Sequence, residues 1–178
     1  MQQSNTGGDV NMVNRMGMWL LMITIILLFG SLSLGFMLTE TKKQPLDIPN
    51  IFYFNSLLLV ASSILLHRGY TQRIKKGKPA LLLPSVVLGI TFLISQIYAW
   101  YLLFSQGFTI DSSGQKVAYL YMLTGVHALH LVGGLLFLVY VLAKYKGKGR
   151  KYFEVATFFW HFLGVLWVYL LAVLTLNA

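Results

Sequence analysis

Cysteine is absent from all 178 residues. Disulfides, thiolate metal sites, iron–sulfur clusters and a dinuclear copper site held by cysteines are therefore excluded. Charge is scarce as well. Only 11% of the residues are charged, against about a quarter in soluble domains. Acidic groups are the rarest, with five Asp and Glu against fourteen Lys and Arg. No Walker loop, no Ser/His/Asp set and no pair of carboxylates inside an apolar run occurs. Alternating short strands are missing, which excludes a membrane β-barrel. No half of the chain repeats, so an inverted-repeat transporter finds no support.

Apolar residues are abundant. They make up 57% of the chain, and the mean hydropathy is +0.69. The expected fold class is all-α, a polytopic bundle of five transmembrane helices. The spans run from about Gly17 to Leu38, Ile51 to His67, Leu81 to Phe104, Val117 to Ala143 and Phe153 to Leu176. Residues 1–14 are polar and rich in Gly, Asn and Gln, and are expected to form a disordered tail before a membrane domain over 15–178. The apolar run after Arg15 is too long for a signal-peptide core and is expected to remain as the first span.

The net charge of +9 is concentrated in two short loops. One holds Arg68, Arg73, Lys75, Lys76 and Lys78; the other holds Lys144, Lys146, Lys148, Arg150 and Lys151. This reads as a topology signal and as contact with anionic lipid, with no nucleic-acid partner. The positive-inside rule places both loops and the N-terminus in the cytoplasm, and the C-terminus in the periplasm.

Each span carries a stripe of small or polar residues. In the first it is Gly17, Thr24, Ser31 and Gly35; in the second Asn55, Leu59 and Ser62; in the third Ser85, Gly89, Gln96 and Trp100. The fourth carries Leu123, His127, His130 and Gly134 within LTGVHALHLVGG. The last carries Glu154, Phe158, His161 and Val165 on one stripe, and Trp160, Gly164 and Trp167 on the next. Small residues let backbones approach, and polar ones hydrogen-bond between helices. Ionisable groups at bilayer depth face the protein interior. His127, His130, His161, Gln96 and Gly134 are therefore expected to form a structural polar seam, with the three histidines linked by hydrogen bonds. Glu154 sits where a helix dipole favours a carboxylate, and a bridge to Lys151 or Arg150 is expected. Glu154, Trp160, Arg68 and Lys151 are the candidate lipid or subunit contacts. No catalytic or metal-binding residue is assigned.

LTGVHALHLVGG resembles a signature of the cytochrome c oxidase subunit III family, the third subunit of haem–copper oxidases. The last span, EVATFFWHFLGVLWVYLL, resembles the family's E…WHFVDVVWLFL stretch. Three further segments are similar in the same order: RMGMWLLMITIILLFGS, LDIPNIFYFNSLLLVASS and LGITFLISQIYAWYLL. The resemblance covers residues 15–176 and looks like the short, five-helix bacterial form. Three positions depart from it. Ile25, Ala99 and Gly164 stand where the family often has carboxylates, which puts a proton-buffering role for those groups in doubt.

The resemblance implies a subunit without redox centres in the bacterial inner membrane, serving aerobic respiratory electron transport. Haem and copper are then expected in partner subunits, and no cofactor on this chain. The implied partners are subunit I, subunit II, phospholipids and a respiratory supercomplex. The implied roles are stabilising the catalytic subunit and binding lipid. Related branches serve quinol oxidases and nitric oxide reductases, so the electron donor stays open. The rival reading is a haem b-binding anchor of a quinone-linked complex, with His161 paired to His127 or His130.

Overall fold

A computed structural model describes residues 6–39, 49–76, 81–109, 114–144 and 149–177; for residues 6–15, 72–76 and 149–151 it describes the backbone alone. Five helices are present: α1 (Thr6–Leu38), α2 (Ile51–Lys76), α3 (Leu82–Ser105), α4 (Gln115–Ala143) and α5 (Gly149–Leu176). All five contain a stretch long and apolar enough to cross a membrane. The chain is a multi-pass membrane protein.

Three boundaries differ from expectation, the third being α5, which starts at Gly149 and not at Phe153. Helix α1 starts at Thr6, inside the segment expected to be disordered. Extending an existing helix adds one hydrogen bond per residue fixed, whereas starting one is costly. No proline interrupts residues 6–16, so the first span propagates backward. Helix α2 likewise runs past His67 to Lys76. Its apolar span ends at Thr71, so part of the expected basic loop is helix.

Helices α2, α3, α4 and α5 form a ring in which each packs on its two neighbours. Helix α1 lies outside it, against α4 and more lightly against α5. Met22, Ile25, Phe29, Ser33 and Phe36 are its buried face. The small residues lie elsewhere. Thr24 and Ser31 are each two positions from a buried residue, about 200° around the helix. Both are exposed, and their hydroxyls donate to the carbonyls of Leu21 (2.7 Å) and Leu28 (2.8 Å) of their own helix. A Cβ at Gly17 would meet nothing within 4 Å. Only Gly35 of that stripe is engaged, by the ring of Tyr119 on α4.

The turn after α3 closes as a glycine cap. Gly107 has φ +87°, Phe108 N–H donates to Leu103 O and Gly107 N–H to Phe104 O. This is the 6→1 and 5→2 pattern of a Schellman motif, which needs a left-handed residue. The Tyr121 hydroxyl then donates to Phe108 O at 3.0 Å, tying the turn to α4.

The ring closes around α5. Trp160 is 2% exposed and spans the bundle interior. Its Nε1 donates to Ser62 Oγ of α2 at 3.1 Å. Its ring lies against Gly89 of α3 and Gly134 of α4. A Cβ at Gly89 would sit 2.7 Å from Trp160 Cη2 and 3.0 Å from Cζ2. Glycine at both positions is thus the space that the indole fills. Gly89→Val should destabilise the bundle by about 1–3 kcal/mol through overpacking. Denaturant titration of the purified chain in mild detergent, followed by circular dichroism, measures this. Unchanged stability would contradict the placement of the indole.

Candidate functional site: a polar seam and a lateral groove

The seam is built mainly by α2 and α3. Asn55 is fully buried and donates through Nδ2 to Gln96 Oε1 at 2.9 Å. Its Oδ1 accepts from Ser95 Oγ at 2.5 Å. Further along the same face, Ser62 Oγ donates to Ser85 O at 2.9 Å while accepting from Trp160. The pair Trp160 and Trp167 recurs at a seven-residue interval, so both indoles leave α5 on one side. Trp167 Nε1 donates to Ser56 Oγ at 3.0 Å. Its ring stacks on Phe52 and meets Phe92 edge-on. Trp100 Nε1 of α3 donates to Thr124 Oγ1 of α4 at 3.0 Å. Polar pairs therefore join α2 to α3, α3 to α4 and α5 to α2.

The three histidines do not form the expected hydrogen-bonded link. His127 is fully buried, and neither ring nitrogen has a hydrogen-bond partner. Its ring packs against Trp167 at 5.2 Å between centroids, Phe29 at 6.1 Å and Phe92 at 6.4 Å. His130 is half-buried beside Phe29, and its Nδ1 lies 2.8 Å from Val126 O of its own helix. His161 points elsewhere. It sits about 100° around α5 from Trp160, which occupies the interior. Its ring neighbour is His67 of α2, at 5.9 Å between centroids. The separation has a plain cause: the bundle centre is filled by indoles and phenyl rings, so the histidines are distributed around them.

Trp160, expected as a lipid or subunit contact, is inside the bundle. Gly89 and Gly134 make room for it there, which a reading of single helices does not show. Glu154 and Arg68 are exposed, at the end of the bundle where the basic loops leave. The expected bridge from Glu154 to Lys151 or Arg150 falls on side chains outside those described. Among the described residues, no three His, Asp or Glu side chains converge. Both ring nitrogens of His127, the atoms that could ligate an iron, are enclosed within the bundle.

Sequence reading missed a groove between α2 and α5, about 710 Å³ in volume. Its walls include Leu59, Val60, Ile64, Val165 and Val168, and His67, Arg68 and His161 lie along it. The one available signal was Gly164, which leaves α5 bare opposite Ser63.

Comparison with known sequences adds the decisive finding. The family described as cytochrome c oxidase subunit III matches residues 4–176. This chain belongs to that family. It is 29% identical to cytochrome c oxidase subunit 3 of Bacillus subtilis, over 90% of this chain and 84% of that protein. It is 32% identical to a probable cytochrome c oxidase subunit 3 of Rickettsia prowazekii, over 71% of this chain and 47% of that protein. The rat subunit 3 is 30% identical over 73% of this chain and 50% of its own length. The chain thus spans about half the length of several curated relatives that it matches. Within this subunit III fold, Ile25 and Ala99 are 2% and 0% exposed in apolar packing. A carboxylate at either position would be enclosed. Gly164, the third departure, borders the groove instead.

Two substitutions separate the paired seam from the unpaired histidine. Asn55→Leu strands Gln96 and Ser95 and should cost about 1–3 kcal/mol. His127→Leu removes a buried polar group without partners and should be neutral or stabilising. Unfolding of both variants in the same detergent measures the contrast. A loss in His127→Leu equal to that in Asn55→Leu would refute it.

Proposed function

We propose that this chain acts as a non-redox subunit III of a haem–copper terminal oxidase in a bacterial inner membrane. Oxygen reduction takes place in the neighbouring subunit I, with haem and copper held by partner subunits. The observation that carries this reading is the family match over residues 4–176, including both histidine-bearing signature helices. The chain's own chemistry agrees. Asn55, Gln96, Ser62 and Thr124 are used in helix-to-helix bonds, and the interior around His127 is filled by rings. The basic loops are read as cytoplasmic, because Lys and Arg near helix ends are retained on that side.

The outward stripe of α1 is the face for subunit I. The small-residue stripes of α2 and α3 are consumed inside the ring, while Gly17, Thr24 and Ser31 are exposed among the described residues. Small residues allow close backbone approach between membrane helices, where association depends on packing and not on the hydrophobic effect. Bound to subunit I in this way, the chain would hold lipid at its flank and keep the catalytic subunit assembled through many turnovers.

A tagged copy extracted in mild detergent should bring a haem–copper catalytic subunit with it. Ser31→Trp adds bulk where the chain itself has free space. It should leave the isolated chain's stability unchanged and reduce the recovered catalytic subunit several-fold. Oxidase lacking the chain should begin at near-normal turnover and lose activity sooner. A tagged wild-type chain recovered without any haem protein, or an undiminished yield with Ser31→Trp, would count against the proposal.

A further inference from the structure

We propose that His67 of α2 and His161 of α5 together bind one divalent transition-metal ion, Cu2+ or Zn2+, which ties the two helices at the side of the bundle. The inference goes beyond the assembly reading and does not depend on it.

The spacing of the two rings carries the inference. Their centroids are 5.9 Å apart, with the planes tilted by 57°. A direct N–H···N bond would need a closer approach, with centroids within about 5.5 Å. Nitrogens that share one ion at about 2.0–2.1 Å place the centroids about 5.2 Å apart at a tetrahedral angle, and about 6.4 Å apart when opposed. The observed separation lies inside that interval. The rings are thus too far apart to bond each other and correctly spaced to share an ion. His67 is exposed and can turn its ring about its own side-chain bonds.

A second observation is independent of that spacing. Nε2 of His161 is buried and has no hydrogen-bond partner. Such atoms are costly and rare in native folds, and imidazole nitrogen is a common ligand of zinc and copper. His161 differs from His127 in lining an open groove beside an exposed imidazole. There is also room for the rest of a coordination shell. Gly164, three residues after His161, leaves α5 bare, and Ser63, one turn before His67, faces it. A Cβ at Gly164 would lie 3.3 Å from Ser63 Oγ, and both residues line the groove. No third His, Asp or Glu joins the pair among the described residues, so water completes the shell and the ion is exchangeable. Two charges bear on the site. Arg68 lines the same groove and opposes a cation. Glu154, two turns before His161 on α5, is exposed and outside the groove lining.

The test uses the full chain without a polyhistidine tag, stripped with EDTA in mild detergent and titrated with Cu2+ or Zn2+ by calorimetry. The wild type should bind one ion per chain, Cu2+ more tightly than Zn2+. Electron spin-echo spectra of the Cu2+ form should show two coupled imidazoles. Loss of a mere outer-shell partner costs a metal site about 10–100-fold, so His67→Gln and His161→Gln should each weaken binding at least about tenfold. Arg68→Gln removes a like charge and should tighten binding about two- to fivefold. His130→Gln should leave the affinity unchanged. Circular dichroism checks that each variant keeps its helices, and the exposed His67 is the position least able to disturb them. Absence of stoichiometric binding in the wild type would overturn the proposal. So would unchanged affinity in His67→Gln, or a Cu2+ spectrum with a single coupled imidazole.

Discussion

Two indoles of one helix, one of them filling gaps left by glycines on its neighbours, hold this bundle together. In hydrocarbon the apolar effect does not press helices against each other, so close packing and hydrogen bonds must. Trp160 supplies both. It fills the space over Gly89 and Gly134 and gives its N–H to Ser62. Trp167 does the same further along, using Ser56 and the rings of Phe52, Phe92 and His127. Because both indoles come from α5, that helix fixes the mutual positions of α2, α3 and α4. The Asn55–Gln96 and Trp100–Thr124 pairs then tie adjacent members of the ring.

This arrangement explains what the histidines do. His127 is enclosed among aromatic rings and His130 is turned to its own backbone. His161 is half-buried along the groove beside His67. They therefore occupy three separate environments. The paired polar groups of α2, α3 and α5 are committed to structure. The small-residue stripe of α1 stays exposed, and a recess lies open between α2 and α5. Both point away from the bundle interior, as expected of a subunit that works through what it touches.

Much of this was legible beforehand. Five apolar runs and their charged loops predict five helices, because hydrocarbon admits only segments whose backbone bonds are internal. The stripes of α2 and α3 identified Asn55, Ser62, Gln96 and Gly89 from spacing alone. Three things were not legible. Spacing cannot tell which stripe meets another helix, so it suggests a hydrogen-bonded link among His127, His130 and His161 that the bundle does not make. Nor does it show that glycines on two helices serve one indole on a third, so Trp160 was placed at the surface. Helix ends were blurred because polar residues after a span can continue the helix, as in residues 6–16 and 69–76. The groove required knowledge of which residue opposes Gly164.

The central proposal is that this chain's indoles and paired polar groups support a fold, that its imidazoles hold no haem, and that the oxygen chemistry resides in a partner chain. It is tested most directly by isolating the oxidase through a tag on this chain. The subunits are then separated in stronger detergent, and haem is assayed on each as the pyridine haemochrome. The account predicts that all haem follows the catalytic subunit, leaving this chain helical and colourless. Stoichiometric haem on the separated chain, lost on replacing His127, His130 or His161, would contradict it.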